Sequence, residues 1–388
     1  MLKAPDQIRA VESLKRLDQN GYLYGMDCQF DYLKDASELV KFFDSGCSSF
    51  VQRNLQGEMV LYRNYDYGHH LHNDLRNPVT GINCVIHAHS PSARYESIGT
   101  ADAFWTDPWR AGMIAGKADD GVTDISSFAM LPLVCMDGMN EAGLCVSIMA
   151  LCVESDWKET DYEQACEQVE QLRAQKKHVV FLEEPGAVPD RFDKWSYPGC
   201  LALNTADQKA WRAVMPIHEQ RLPGRPTLYH PILMRQMLDL CADTKEAAAL
   251  ASSVNVKAAV PGSDYHILIA DASGDSVMLE WEENEMKVIP AACGTNYRLH
   301  GIDPFRGTDR RYECIRAGLE RFPSRMPEKY GLDLLRLVSQ EPGNGADRGK
   351  TQYSCIYHLE QKTMQIYSFG DYAHSWTFSV RGQLLREE

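Results

Sequence analysis

Gly46-Cys47-Ser48-Ser49, followed by Arg63-Asn64-Tyr65-Asp66, is the stretch on which the reading of this chain turns. A cysteine whose backbone nitrogen is a free amine carries nucleophile and base on one residue. The amine, with an unperturbed pKa of about 8, can take the thiol proton and later return it to a leaving group. That chemistry requires the Gly46-Cys47 bond to open. Glycine suits the preceding position, because a bond poised for attack needs a close approach that a Cβ would obstruct.

Around the cysteine the pattern is that of strands. Ser49-Phe50-Val51 and Met59-Val60-Leu61-Tyr62 flank Leu55-Gln56-Gly57-Glu58, a hairpin-turn signal. A symmetric turn would set Cys47 across from Asp66. Strict alternation then sends Arg63 to the opposite face, so the expectation includes a bulge or strand end near Asn64-Tyr65.

Further along lie Gly138-Met139-Asn140-Glu141-Ala142-Gly143-Leu144, the triplet Thr295-Asn296-Tyr297, and Asp309-Arg310-Arg311. With the 46–66 stretch, these motifs resemble the choloylglycine hydrolase-like branch of the N-terminal-nucleophile (Ntn) hydrolases. That group includes bile-salt hydrolases, penicillin V acylases, the isopenicillin acyltransferase, and the acid ceramidase and N-acylethanolamine amidase pair. The resemblance runs from about residue 46 to about residue 370. It implies an α+β fold, the four-layer αββα sandwich. It also implies an active site made of Cys47 as nucleophile, Arg63 to favour its thiolate, Asp66 to orient the α-amine, Asn296 as a side-chain oxyanion donor and Arg310 as the second cation, with Arg311 second to it. In one place the sequence departs from the pattern. Bile-salt hydrolases carry an asparagine shortly after the Asn-Glu-x-Gly-Leu motif, where this chain reads Ser147-Ile148-Met149-Ala150-Leu151. This leaves the second oxyanion donor open, with a backbone N–H able to serve, and argues against a bile-salt substrate in particular.

Composition bounds the remaining possibilities. The chain has 388 residues, an ordinary globular hydrophobic content of 44% and a formal net charge of −14. Such a charge argues against nucleic acid and anionic membrane surfaces as partners. No apolar run reaches a membrane span, so no membrane insertion is expected, and Met1 to Asn20 mixes charges through its apolar positions, unlike a signal peptide. Twelve cysteines are scattered without Cys-x-x-Cys pairs or zinc-like spacing. They suit reduced thiols and a cytoplasmic setting, and no metal or cofactor is implied. A homo-oligomer is compatible with the sequence.

Residues 1–46 are expected to be a helical propeptide, removed autocatalytically, with residues 47–388 forming the hydrolase domain. Ile8, Val11, Leu14 and Leu17 give a helical spacing over 5–19, ended by Asn20-Gly21. Leu39, Val40, Phe42 and Phe43 give a second helix. Strands are expected at 82–89, 131–136, 144–149, 265–271, 276–281, 353–359, 364–369 and 374–380, and helices near 162–176, 229–242, 244–254 and 332–340. The stretch at about 150–230 is expected to be a subgroup-specific insertion.

Other candidates carry more than one reading. Trp105 and Trp109, with Phe104, either line an acyl pocket or pack as core or lid. His69, His70 and His72 read as a polar loop, lacking a carboxylate or cysteine at zinc-site spacing, and His87 and His89 as hydrogen-bonded structural residues. The function expected is hydrolysis of a linear, non-peptide amide carbon–nitrogen bond in a small molecule, through a thioester. The alternatives are an acyltransferase of the same fold and an unprocessed, non-catalytic binding protein.

Overall fold

The computed structural model describes residues 4–19, 21–33, 46–67, 82–106, 126–151, 156–174, 179–189, 201–214, 220–257, 264–282, 284–301, 309–340 and 350–388. The hairpin at Cys47 is present, but its register differs by one residue from the symmetric expectation. Strands Gly46–Arg53 and Met59–Tyr67 pair antiparallel, with Gly46 opposite Asp66, Cys47 opposite Tyr65 and Ser49 opposite Arg63. The cause is the odd, five-residue connection at 54–58. Asn54 N–H donates to the Glu58 carbonyl (2.8 Å), and its Oδ1 accepts from the Glu58 N–H (2.9 Å). Gly57 turns the chain at φ +93°, a conformation glycine adopts without strain. One residue of register exchanges the faces of a strand. Cys47 and Arg63 therefore share a face, and Asp66 takes the other.

This hairpin lies in a seven-stranded sheet in the order Cys293–Gly294, Gly46–Arg53, Met59–Tyr67, Lys350–His358, Thr363–Ser368, Trp376–Ser379, Leu384–Glu387. The irregularity expected near Asn64-Tyr65 falls instead on the neighbouring strand, where the pairing slips between Thr351 and Tyr353. A nine-stranded sheet faces it, ordered Lys15–Arg16, Leu23–Cys28, Asn83–Ala88, Ser97–Asp102, Cys135–Asn140, Cys145–Leu151, Asp264–Ala270, Ser276–Glu282, Glu285–Pro290. Cys47, Leu61, Tyr65, Tyr353 and Cys355 of the smaller sheet and Ile148, Met149 and Leu268 of the larger belong to one buried apolar cluster.

The outer faces are covered by helices. Phe50, Val60, Tyr62 and Ile356 pack against Tyr312 and Ile315 of helix Arg310–Arg321 and Leu334 and Leu335 of helix Glu328–Leu337. On the other side, helix His230–Leu240 lies against Cys135–Asn140 and Cys145–Leu151. Each sheet buries both faces, and the result is the four-layer αββα arrangement.

Several elements depart from expectation. Residues 126–134 form a 3₁₀ run containing Pro132, and the strand begins only at Cys135. The leader is not purely helical. Its helix ends at Glu12, and the Asp18 carboxylate accepts the N–H groups of Gly21, Tyr22 and Leu23 (2.9, 3.0 and 3.1 Å), turning the chain into strand Leu23–Cys28. That strand pairs in parallel with Asn83–Ala88 inside the nine-stranded sheet, with Leu23 and Cys28 fully buried. The helix expected at 39–43 lies outside the described residues. Residues 156–214 contribute a separate four-stranded sheet and helix Tyr162–Ala174, with a small core of Ala165, Val169, Leu172, Leu201 and Leu203. Among the described residues, no helix is long and apolar enough to cross a membrane.

Gly99 and Gly138 face each other between strands Ser97–Asp102 and Cys135–Asn140. A Cβ on Gly99 would stand 2.4 Å from the Asp137 carbonyl oxygen, a backbone atom that cannot swing away. Gly99→Ala is expected to cost roughly 2–3 kcal/mol by overpacking, read as a lower denaturant midpoint. Gly25→Ala, whose Cβ would meet only Leu17 at 3.6 Å or beyond, is expected to stay within about 0.5 kcal/mol. Equal midpoints for the two variants would show that the close approach does not constrain the sheet.

Candidate functional site

Cys47 is the second residue of its strand and fully buried, and its Sγ accepts a hydrogen bond from Arg63 Nη2 at 2.8 Å. Arg63 reaches it because Ser49, its cross-strand partner, sits two residues from Cys47 on the same face. The guanidinium has no exposed surface, and its Nε donates to Asp137 Oδ2 at 3.3 Å. Asp137 also accepts from Thr100 Oγ1 (2.6 Å), Tyr353 OH (2.8 Å) and Tyr357 OH. Burial works against the charge on Arg63, yet the Cys47 sulfur and Asp137 together raise its pKa above the usual arginine value. A permanent cation at hydrogen-bond distance from a thiol favours the thiolate.

Asp66, on the other face, lies opposite Gly46 rather than Cys47. It accepts from Thr351 Oγ1 (2.5 Å) and Arg311 Nη1 (2.9 Å). Burial raises its pKa above the usual carboxylate value, and Arg311, Thr351 and Arg63 pull the other way.

The second cation in the cluster is Arg311, which corrects the expectation of Arg310. Asp309 caps helix Arg310–Arg321 by accepting the Arg311 N–H at 2.9 Å, which fixes the phase of the first turn. Successive helical residues point about 100° apart, so only one of the two arginines can face the sheet. Arg310 is exposed. Arg311 donates to Asp66, to Asn296 Oδ1 (2.7 Å), to the Cys47 carbonyl (3.3 Å) and to Asp309.

Asn296 Oδ1 accepts from the Cys47 N–H at 3.2 Å as well as from Arg311, and Nδ2 donates to the Ala150 carbonyl at 2.6 Å. Two donors on one atom and an acceptor on the other set the amide's orientation. Ala150, whose carbonyl lies against Asn296, belongs to the stretch Ser147–Leu151 in which this sequence has no asparagine. The structure thus brings Cys47, Arg63, Asp66 and Asn296 together.

Trp105 is buried one step behind the site. Its Nε1 donates to Tyr65 OH at 3.0 Å, and Tyr65, the residue opposite Cys47, donates to Asp102 at 2.9 Å. It packs edge-on against Tyr67, so of its two readings the core one fits. Trp109 and His69, His70 and His72 lie outside the described residues. His87 Nδ1 hydrogen-bonds Asp27 at 2.8 Å, tying the leader strand to its neighbour.

Asp137, Thr351 and the Tyr353/Tyr357 pair were not singled out in the sequence. Asp137 adjoins the Gly138–Leu144 motif, which was its one available signal. Tyr353 and Tyr357, four residues apart on a strand, share a face, but nothing in their own stretch announces a buried carboxylate opposite.

No protein-family model matches the sequence, and no curated protein matches it either. Solved structures do resemble the fold. Penicillin V acylase from Agrobacterium tumefaciens is 15% identical, with 83% of each chain covered and a TM-score of 0.43. Two variants of conjugated bile acid hydrolase from Clostridium perfringens are each 11% identical. One covers 87% of this chain and 93% of its own at a TM-score of 0.48, and the other 88% and 95% at 0.47.

Proposed function

We propose that this chain is a cysteine Ntn hydrolase that cleaves a linear, non-peptide amide carbon–nitrogen bond in a small molecule. The observation that carries this reading is the buried Arg63 guanidinium 2.8 Å from Cys47 Sγ, with the Cys47 nitrogen held on Asn296. A merely structural cysteine has no need of a desolvated cation.

In maturation, the Cys47 thiolate attacks the Gly46 carbonyl carbon. The tetrahedral adduct collapses by breaking the Gly46–Cys47 C–N bond, and the nitrogen takes a proton. A thioester between Gly46 and Sγ results, which water hydrolyses to free the thiol and release a carboxylate on Gly46. In turnover, the Cys47 α-amine accepts the thiol proton as sulfur attacks the substrate carbonyl, and gives it to the departing amine nitrogen. Water then resolves the acyl-enzyme. Asn296 Oδ1 keeps the α-amine in place, and its Nδ2 supplies an N–H to the oxyanion. Arg311 ties Asp66, Asn296 and the Cys47 carbonyl into one unit, so that nitrogen, sulfur and amide keep a fixed relation. Leader strand Leu23–Cys28 pairs along its length with Asn83–Ala88, Leu23 and Cys28 are fully buried, and Tyr32 OH donates to the buried Asp239 at 2.9 Å. Cleavage would therefore leave the leader attached without a covalent link.

Intact mass under denaturing conditions should show two fragments meeting at Gly46/Cys47, which co-elute on a sizing column under native conditions, while Cys47→Ala stays full length. A single uncut chain with amidase activity would refute the maturation step. Asp137→Asn keeps the shape but weakens the hold on Arg63, and kcat for an N-acyl amine substrate should fall about 10- to 100-fold with the unfolding midpoint changed far less than in Asp137→Ala. Unchanged turnover would remove Asp137 from the account. Asn296→Ala should lower kcat by roughly 100-fold with little change in KM, and Asn296→Asp should be at least as harmful. A raised KM at constant kcat would make Asn296 a binding residue instead.

A further inference from the structure

His266 and Glu280 form a second buried polar pair, outside the cluster on Cys47. They lie on neighbouring strands Asp264–Ala270 and Ser276–Glu282, and neither side chain has exposed surface. His266 Nδ1 is 3.0 Å from Glu280 Oε1, and Nε2 is 2.7 Å from the Thr295 carbonyl oxygen. Each ring nitrogen thus faces one oxygen, a carboxylate on one side and a backbone carbonyl on the other.

What the pair holds is the segment bearing Asn296. Glu280 accepts the Leu299 N–H at 2.7 Å and the His300 N–H at 2.9 Å. His266 fixes the carbonyl just before Asn296, and Glu280 fixes two amides just after it. Arg298 adds a third tie, to Asp264 and to the Trp281 carbonyl (2.8 Å). Burial works against the Glu280 carboxylate, yet the bonds from His266, Leu299 and His300 hold its pKa below the usual carboxylate range. Upstream, strand Cys293–Gly294 comes so close to the larger sheet that a Cβ on Gly294 would stand 2.4 Å from Met278 Cε and 3.6 Å from His266 Cε1. The chain thus enters the segment where there is no room for a side chain between it and the larger sheet.

We propose that His266 and Glu280 are a positioning pair for the reaction, setting the Asn296 amide against the Cys47 nitrogen by clamping the backbone of residues 295–300 on both sides. The inference rests on the hydrolase reading for its consequence, not for its geometry. Neither residue touches the reacting atoms. Their effect passes through Thr295, Leu299 and His300 to one amide that must meet a developing charge within a fraction of an ångström.

Removing one member of a buried hydrogen-bonded pair leaves the other unsatisfied, so His266→Ala is accompanied by a second variant, H266Q/E280Q. In the double variant the amide at 266 can donate to the Thr295 carbonyl, while the one at 280 keeps a single oxygen, which can accept the Leu299 N–H but leaves the His300 N–H without its acceptor. Two measurements are made on the full chain. Hydrogen–deuterium exchange is expected to show faster exchange over 295–300 in His266→Ala, with strands Gly46–Arg53 and Met59–Tyr67 protected as in the unsubstituted protein, and protection regained over 295–299 in the double variant. Turnover of an N-acyl amine substrate is expected to fall roughly 10- to 100-fold in kcat in His266→Ala, with KM nearly constant and part of the loss recovered in the double variant. Unchanged exchange over 295–300, or unchanged kcat with the segment loosened, overturns the proposal. If the unsubstituted protein turns over no amide, the hydrolase reading has failed by itself, and the exchange data alone decide whether the pair clamps the segment.

Discussion

Everything at the site depends on a guanidinium that has no water to fall back on. Arg63 is wholly buried between two sheets, and a charge so placed must find partners or the fold does not hold. It finds the Asp137 carboxylate on one side and the Cys47 sulfur on the other, with Ser49 Oγ accepting from Nη1 at 3.5 Å. The demand of the buried cation for a negative neighbour and the demand of the thiol for a reason to ionise are met by one contact. Asp137 is in turn surrounded by hydroxyl donors from Thr100, Tyr353 and Tyr357, which keep its charge in place and aim Arg63 at sulfur. Both sheets are needed for this. Arg63 and the tyrosines come from the smaller sheet, Asp137 and Thr100 from the larger.

A second constraint acts on nitrogen rather than sulfur. The Cys47 N–H, the Asn296 amide, Arg311 and Asp66 form a chain that crosses from the inner face of the hairpin to its outer helix. Arg311 can take part because the hairpin register leaves Asp66 facing outward. The same register leaves Arg63 facing inward. The two cations therefore approach Cys47 from opposite sides of one strand pair, Arg63 on Asp137 and Arg311 on Asp66, and neither has to share a pocket with the other.

Much of this was legible in the sequence, and what was not has identifiable physical causes. Cys47, Arg63, Asp66 and Asn296 could be picked out because each sits in a short local pattern. The register could not, since the parity of the connection at 54–58 depends on how Asn54 and Gly57 close the turn, and one residue there exchanges the faces of every position beyond it. The family resemblance favours Arg310, the first arginine of the pair, whereas the helix phase that turns Arg311 to the sheet is set by the Asp309 cap, which spacing alone does not reveal. Asp137 was missed for a different reason. Its donors lie 37, 74, 216 and 220 residues away in sequence, and such a site exists only once the sheets are stacked. The leader read as helical as far as its apolar spacing went. The turn built on Asp18, which sends it into a sheet, carries no periodic signal.

The central claim is that Cys47 Sγ carries the acyl group of the substrate, and trapping that intermediate tests it most directly. The protein is mixed with an excess of N-acyl amine substrate, quenched in acid during turnover, and digested for mass spectrometry. The account predicts one acyl mass on the peptide whose first residue is Cys47, removed by hydroxylamine as a thioester is, and absent from Cys47→Ser. An acyl adduct on any other residue, or steady turnover with Cys47 alkylated, would contradict it.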